Sequence, residues 1–318
     1  MNARIGPAFR AAFGRLIDYA GLFPPAKLPL EDALVEYAAA QGGATSWMLG
    51  RFIAPASRLA ELANLLAAHP QPAQLEVSAI VDASLDPQLW FASLQTVLRE
   101  VSRFRRDTTV LRIASLEIPL PPLLRARDTF DASIGQLRAS LDRAGMGDFP
   151  AYVELPRVAR SGDLLAGAMA ALARMHLAGK IRCGGTEASA FPSVADVAAF
   201  VSIAAERHIA FKATAGLHHP VRHCDEATGF VMHGFLNVLA AATFAPDVSA
   251  EQLEAIVAEE DPAAFAFDDA SLRWRDRRAS IAEVERMRAS AFTGYGSCSF
   301  TEPVEDLTAL GLLPAAAV

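Results

Sequence analysis

The sequence predicts an α/β fold, a single parallel (β/α)8 TIM barrel. Strand-like and helix-like segments alternate from one end of the chain to the other, the pattern of parallel βαβ units. The strand-like segments number eight, the count for a closed barrel. The chain's 318 residues, 52% of them apolar, suit one such barrel with a large core.

The expected strands are 16–22, 46–53, 75–82, 110–118, 151–155, 180–183, 210–214 and 291–299. The first and last of them carry glycine and polar residues. Helical stretches at 30–41, 57–69, 87–104, 123–144, 162–178 and 194–207 separate the first seven strands, and a helix over 303–310 follows the eighth. Between strands seven and eight the connection is oversized. It reads as a polar lid loop, 217–232, then a helical insertion, 233–290, with two or three helices. All of 1–318 is expected to form one domain. An open doubly wound sheet is the alternative. No GxGxxG turn follows an early strand, and Gly184-Gly185 and Gly294-Tyr295-Gly296 are too brief to serve as one.

Composition narrows the function. The formal net charge is −7, and no basic run is long enough for a nucleic-acid surface. The densest basic stretch, Arg273 to Arg278, includes Trp274 and Asp276 and reads as an exposed helix face. Cys183, Cys224 and Cys298 are far apart and form no CxxC pair, which suits a reducing cytoplasm. Residues 1–15 lack the apolar core of a signal peptide. No uninterrupted apolar run approaches the roughly 20 residues that span a bilayer. A small anionic substrate is expected as partner, with no nucleic acid and no membrane. Self-association as a homo-oligomer stays open.

Two lysines carry the most information. Lys180 lies in Gly179-Lys180-Ile181-Arg182-Cys183-Gly184-Gly185, and Lys212 in Phe211-Lys212-Ala213-Thr214-Ala215-Gly216. The helical stretch between them puts both on neighbouring parallel strands, at the end where barrel enzymes keep their chemistry. Two ammonium groups there repel, and burial disfavours their charge. One lysine is therefore expected to be neutral near pH 7 and able to attack a carbonyl.

Alternation along each strand assigns further groups to the same face. Arg51 follows Trp47 and Leu49, Glu117 follows Ile113 and Ser115, Glu154 follows Tyr152, and Arg182 follows Lys180. Asp18 and Asp82 occupy similar late positions. Glu117 and Glu154 are candidate proton carriers. Arg182, Arg51 and Asp18 are candidate substrate contacts, since guanidinium suits carboxylate or phosphate. Ser297 and Ser299, beside Gly294 and Gly296, fit a phosphate site after the last strand. In the loop His218-His219-Pro220, His218 is a candidate general acid or base and His219 a substrate contact. The loop lacks the spacing of a metal site, so no metal and no cofactor is expected. His233 and Asn237 begin the next helix, where an anion could also sit.

The stretch 180–216 resembles the deoxyribose-phosphate aldolase pattern. The matching elements are Lys180, Gly184-Gly185, the helix start at Ser193 to Val197, and Phe211-Lys212-Ala213-Thr214-Ala215-Gly216. That resemblance implies a (β/α)8 barrel in which Lys180 forms a Schiff base and Lys212 depresses its pKa. Ile181-Arg182-Cys183 departs from the small hydroxyl residues that follow the family's first lysine. The family's acidic partner falls on Glu117 or Glu154. The expected function is a Schiff-base, aldolase-like lyase acting on a small phosphorylated or carboxylated carbonyl compound. One alternative is a phosphoribosyltransferase-like or metal-assisted barrel that uses the lysines as cations. Another is a binding barrel without chemistry.

Overall fold

In the computed structural model, which describes residues 5–68, 74–122 and 127–314, eight parallel strands close into a barrel. In chain order the strands of the protein are β1 (Ile17–Tyr19), β2 (Leu49–Pro55), β3 (Leu75–Ile80), β4 (Leu111–Pro119), β5 (Ala151–Glu154), β6 (Ala178–Arg182) and β7 (Phe211–Thr214). Then come β8 (His223–Cys224), β9 (Val231–Met232), β10 (Phe265–Phe267), β11 (Ser271–Trp274), β12 (Arg277–Ser280) and β13 (Phe292–Ser297). The barrel runs β1-β13-β7-β6-β5-β4-β3-β2, so the last strand in sequence closes the ring between β1 and β7.

Helices cover the outside of the ring, each fixed by its apolar face. Trp90–Asp107 buries Trp90, Leu94, Leu98 and Val101, one per turn. Val194–Glu206 starts at a capping box of Ser193 and Asp196 and buries Val197, Phe200, Val201 and Ala204. Phe200 meets Phe211 of β7 edge-on, with ring centroids 5.4 Å apart. Gly179 leaves room for that ring, since a Cβ there would sit 3.0 Å from it. The stretch Ala188–Glu206 is apolar and long enough to cross a membrane by length and composition alone. Here it is a short 3-10 turn followed by that barrel-covering helix.

All eight expected barrel strands are present, with two differences at their edges and beyond. Ser46–Met48 forms a 3-10 turn, so Trp47 precedes β2 instead of lying on it. The insertion after β7 is only partly helical. Its helices are Phe235–Phe244, Ala250–Ala258 and Ile281–Ser290, and between them β10, β11 and β12 form an antiparallel sheet. The stretch Arg273 to Arg278 is thus a hairpin and not a helix face. Buried Leu272, Trp274 and Ala279 alternate with arginines, a period of two that the density of charge conceals. Arg273 and Arg278 both reach Asp268, at 3.8 and 3.6 Å. The loop 217–232 holds the small hairpin β8–β9. The expected helix ends at His69 and over 123–126 lie outside the described residues.

Candidate active site

Lys180 and Lys212 are register partners on β6 and β7, and both are buried. Their strands are held close at the C-terminal end by glycine. A Cβ on Gly184 would lie 2.9 Å from Gly216 Cα, and Gly216 has a positive φ of 69°. A side chain at either position would force apart the two loops that follow the lysines.

Carboxylates from three other strands meet the two ammonium groups. Glu117 of β4 stands between them: its Oε2 is 2.6 Å from Lys180 Nζ, and its Oε1 accepts from Lys212. Glu154, the last residue of β5, is 2.9 Å from Lys180. Asp18 of β1 is 2.5 Å from Lys212. Ser78 of β3 donates to Glu117 at 2.7 Å, contacts Ser115 at 2.8 Å and lies 3.3 Å from Lys212. Lys212 Nζ also sits 5.5 Å from the ring centroid of Tyr152, whose hydroxyl accepts from Thr293 at 2.9 Å. The network draws on the first, third, fourth, fifth, sixth and seventh strands. Only a closed barrel brings these together.

The two glycines of the last strand explain how Asp18 reaches Lys212. Asp18 is the register partner of Gly296, and Lys212 that of Gly294. The ion pair therefore passes over a strand that carries no side chain at either point.

No family model matches the chain, and no curated protein matches it. Among solved structures it is similar to the tetrameric deoxyribose phosphate aldolase from Aeropyrum pernix, with a TM-score of 0.51 over 96% of this chain and 93% of that one. The barrel resembles a deoxyribose phosphate aldolase. Sequence identity between the two is 12%, so the likeness is one of fold. A second aldolase, QR15, aligns at 14% identity and a TM-score of 0.45 over 65% of this chain and 83% of that one.

Within this barrel the lysines differ from the sequence expectation in one respect. Neither is driven neutral. Burial pushes the Lys180 ammonium down, but Glu117 and Glu154 outweigh it and its pKa is raised. Burial acts likewise on Lys212, and Asp18 and Glu117 raise it further still. Burial would lift the Glu117 carboxyl, yet Lys180 and Lys212 hold it well below the usual carboxylate range. Like-charge repulsion between the lysines is the smaller effect because a carboxylate stands between them.

The remaining expected residues fall into three groups. Arg51 and Arg182 border the network: Arg51 is 3.9 Å from Asp18, and Arg182 is 3.6 Å from Glu154 with 43% of its side chain exposed. Asp18, expected as a substrate contact, is instead the buried partner of Lys212 and also accepts from the Arg51 backbone N–H. Asp82 lies apart, accepting from the Ser57 backbone N–H.

His218 and His219 bind the last helix, Thr301–Ala309, and none of the contacts found for them involves a lysine. His218 Nδ1 is 2.9 Å from Glu302, and His219 Nδ1 is 2.6 Å from Asp306. Burial alone would push the His218 imidazole down. Cys298, with its sulfur 3.7 Å away, and Glu302 outweigh it and raise the pKa to about 10. Ser297 is buried at the end of β13, and Ser299 caps the same helix by accepting from Glu302 N–H at 3.1 Å. His233 and Asn237 are structural. His233 Nε2 donates to the Pro192 carbonyl, and Asn237 donates to the Ile256 and Glu259 carbonyls. Cys183 is buried, which pushes its thiol up to about 12 and leaves it inert. Among the described residues no cluster of His, Cys, Asp or Glu could hold a metal ion.

Sequence reasoning missed Ser78 as the third contact of Lys212, and it missed Arg157 and Arg160 near Glu154. It also missed a signal that needed only counting. The chain has 26 arginines and three lysines, Lys27, Lys180 and Lys212. Two of the three stand in this network.

Proposed function

We propose that the protein is a Schiff-base, aldolase-like lyase with Lys180 as nucleophile, acting on a small carbonyl compound that carries a phosphate or carboxylate. The observation that carries this reading is the placement of Lys180 between Glu117 and Glu154, with Lys212 on the far oxygen of Glu117. Arginine is this chain's ordinary cation. A lysine in its place supports amine chemistry, because guanidinium does not deprotonate at working pH.

Lys180 suits attack better than Lys212. Lys212 is 1% exposed and meets Asp18, Glu117 and Ser78 at once. Lys180 has Glu154 on its open side, and Glu154 lines a cavity at the ends of β4, β5 and β6. Lys180 passes a proton to Glu154, and the free amine adds to the carbonyl carbon. The carbonyl oxygen takes one proton from the nitrogen and one from Glu154 and leaves as water, giving an iminium. The bond between the carbons α and β to the iminium then breaks. Its electron pair forms the enamine C=C bond, the C=N pair moves to nitrogen, and a carboxylate takes the β-hydroxyl proton as the aldehyde departs. The same carboxyl returns that proton to the α carbon, and water hydrolyses the iminium to release the second product and free Lys180.

Borohydride trapping with pyruvate, glyoxylate, acetaldehyde and glyceraldehyde 3-phosphate tests the reading. A reduced adduct mapped to Lys180 supports it. A second reading is favoured by the raised pKa of both lysines: a barrel of the phosphoribosyltransferase-like or metal-assisted kind, with the lysines as fixed cations. Under that reading no adduct forms and Lys180→Arg keeps turnover. On the likeness to a tetrameric aldolase we also propose a homo-oligomer, to be checked by light scattering after gel filtration.

A further inference from the structure

Three arginines line the cavity next to Glu154, and of these Arg182 already borders the network through that carboxylate. Arg157 and Arg160 come from the loop after β5, and Arg182 ends β6. The cavity holds about 160 Å3, and its walls are apolar, among them Leu120 and Ile181. Existing contacts leave much of each guanidinium free. Arg157 uses one terminal nitrogen, on Glu187 and Ser189. Arg160 donates from its two terminal nitrogens to the Ser189 and Ala190 carbonyls. Arg182 has a single carboxylate contact, at 3.6 Å. A guanidinium has five donors, so each retains some for a ligand.

The charge balance is uneven. Three cations converge on a cavity whose one lining carboxylate, Glu154, is already 2.9 Å from Lys180, and Glu187, 2.6 Å from Arg157, offsets only one of them. Burial, and after it the neighbouring Arg157 and Arg182, lower the pKa of Arg160. Like charges held beside an apolar wall want an anion.

We infer that Arg157, Arg160 and Arg182 form the site for the oxyanion, phosphate or carboxylate, of the substrate. The site makes the enzyme selective for anionic over neutral carbonyl compounds. This deepens the lyase reading and relies on it for the position of the reacting carbon, Glu154 being the group common to cavity and lysine network.

The test has two arms. The first is calorimetry with inorganic phosphate and with malonate on wild type, Arg157→Gln and Arg160→Gln. Each variant should weaken the better-bound anion by about tenfold, the effect of losing one charge-assisted hydrogen bond. Arg157→Lys should recover part of the loss, since it keeps the charge but not the planar fork. Arg157 is half exposed, so Arg157→Gln stays folded even if Arg160→Gln loosens the 188–190 turn. The second arm is borohydride trapping with glyoxylate, glyceraldehyde 3-phosphate and acetaldehyde. The ratio of anionic to neutral trapping should fall by about tenfold in the same variants. Whichever anion shows the larger ratio identifies the natural head group. Anion binding that the variants weaken, with no trapping of any carbonyl, would keep this site and remove the lyase reading. Trapping on Lys180 that ignores substrate charge, with anion binding unchanged in both variants, would overturn the site and keep the lyase.

Discussion

Lys180 and Lys212 face each other as register partners on neighbouring strands, and one carboxylate, Glu117, holds both as ammonium ions. The pair is therefore a paired set of charges and not two cations in conflict. Its behaviour under mutation follows from which charges are left alone.

Glu117→Gln should cost about 3–5 kcal/mol, because it breaks one buried ion pair on each lysine and leaves each with a single carboxylate, Glu154 for Lys180 and Asp18 for Lys212. Adding Lys212→Met to Glu117→Gln should recover part of that loss. Urea unfolding at pH 7 on the two single variants and the double variant measures the coupling.

Lys212→Met should destabilise more than Lys180→Met. The first leaves Asp18, 1% exposed, with Arg51 at 3.9 Å as its remaining cation. The second leaves Glu154 with Arg182 and with access to the cavity. Thermal melts of the two variants rank them, and the reverse order would contradict the assignment of Lys212 as the more structural lysine.

In the absence of a carbonyl substrate, both buried lysines should acylate more slowly at neutral pH than Lys27. Their raised pKa values keep the amine protonated, and burial restricts access. Competitive labelling followed by peptide mapping compares all three lysines in one digest. Faster labelling of Lys180 than of Lys27 would show that the carboxylates do not control its charge.

His218 should remain an imidazolium through neutral pH. Its native pKa of about 10 lies above the ordinary histidine value of about 6.5. A raised native value stabilises the fold fully below about pH 6.5, progressively less across the interval, and not at all above about pH 10. Proton NMR should find the His218 ring titrating far above the ordinary histidine value, and Glu302→Gln should bring it down. At neutral pH such a group acts as an acid or a cation, not as a base. Glu117 runs the other way: its depressed value contributes stability above the ordinary carboxylate range, lost as pH falls through the native value.

Gly184→Ala should be destabilising by about 1–3 kcal/mol, since the new methyl meets both Phe191 and the Gly216 backbone. Chemical denaturation checks it, with Gly42→Ala, whose new methyl meets nothing and whose φ is ordinary, as the uncrowded control.

The barrel was legible because its strands are short apolar runs with regular helical spacers, and the period survives even where Gly179 or Ser78 interrupts it. Late-strand alternation was enough to bring Lys180, Lys212, Glu117 and Glu154 together. It did not give their charge state, because like-charge repulsion is visible in sequence while the angle at which Glu117 enters between two strands is not. The Arg273 to Arg278 hairpin was misread for a related reason: arginine on an exposed strand face looks the same as arginine on a helix. Arg157 and Arg160 sit in a loop, where no periodicity assigns a direction to a side chain. The Asp18–Lys212 contact spans nearly 200 residues, and only ring closure predicts it.

That contact has a consequence for the order in which the cluster is completed. Asp18 and Lys212 belong to strands that flank the last one, and they meet across Gly294 and Gly296. The Asp18–Lys212 pair is then completed only by insertion of the final strand. A nascent chain halted before residue 292 holds every charged group of the cluster and lacks the strand across which these two meet. Lys180 has Glu117 and Glu154 on the contiguous strands β4 and β5, so it is Lys212 whose surroundings wait for the strand that bears none of its partners.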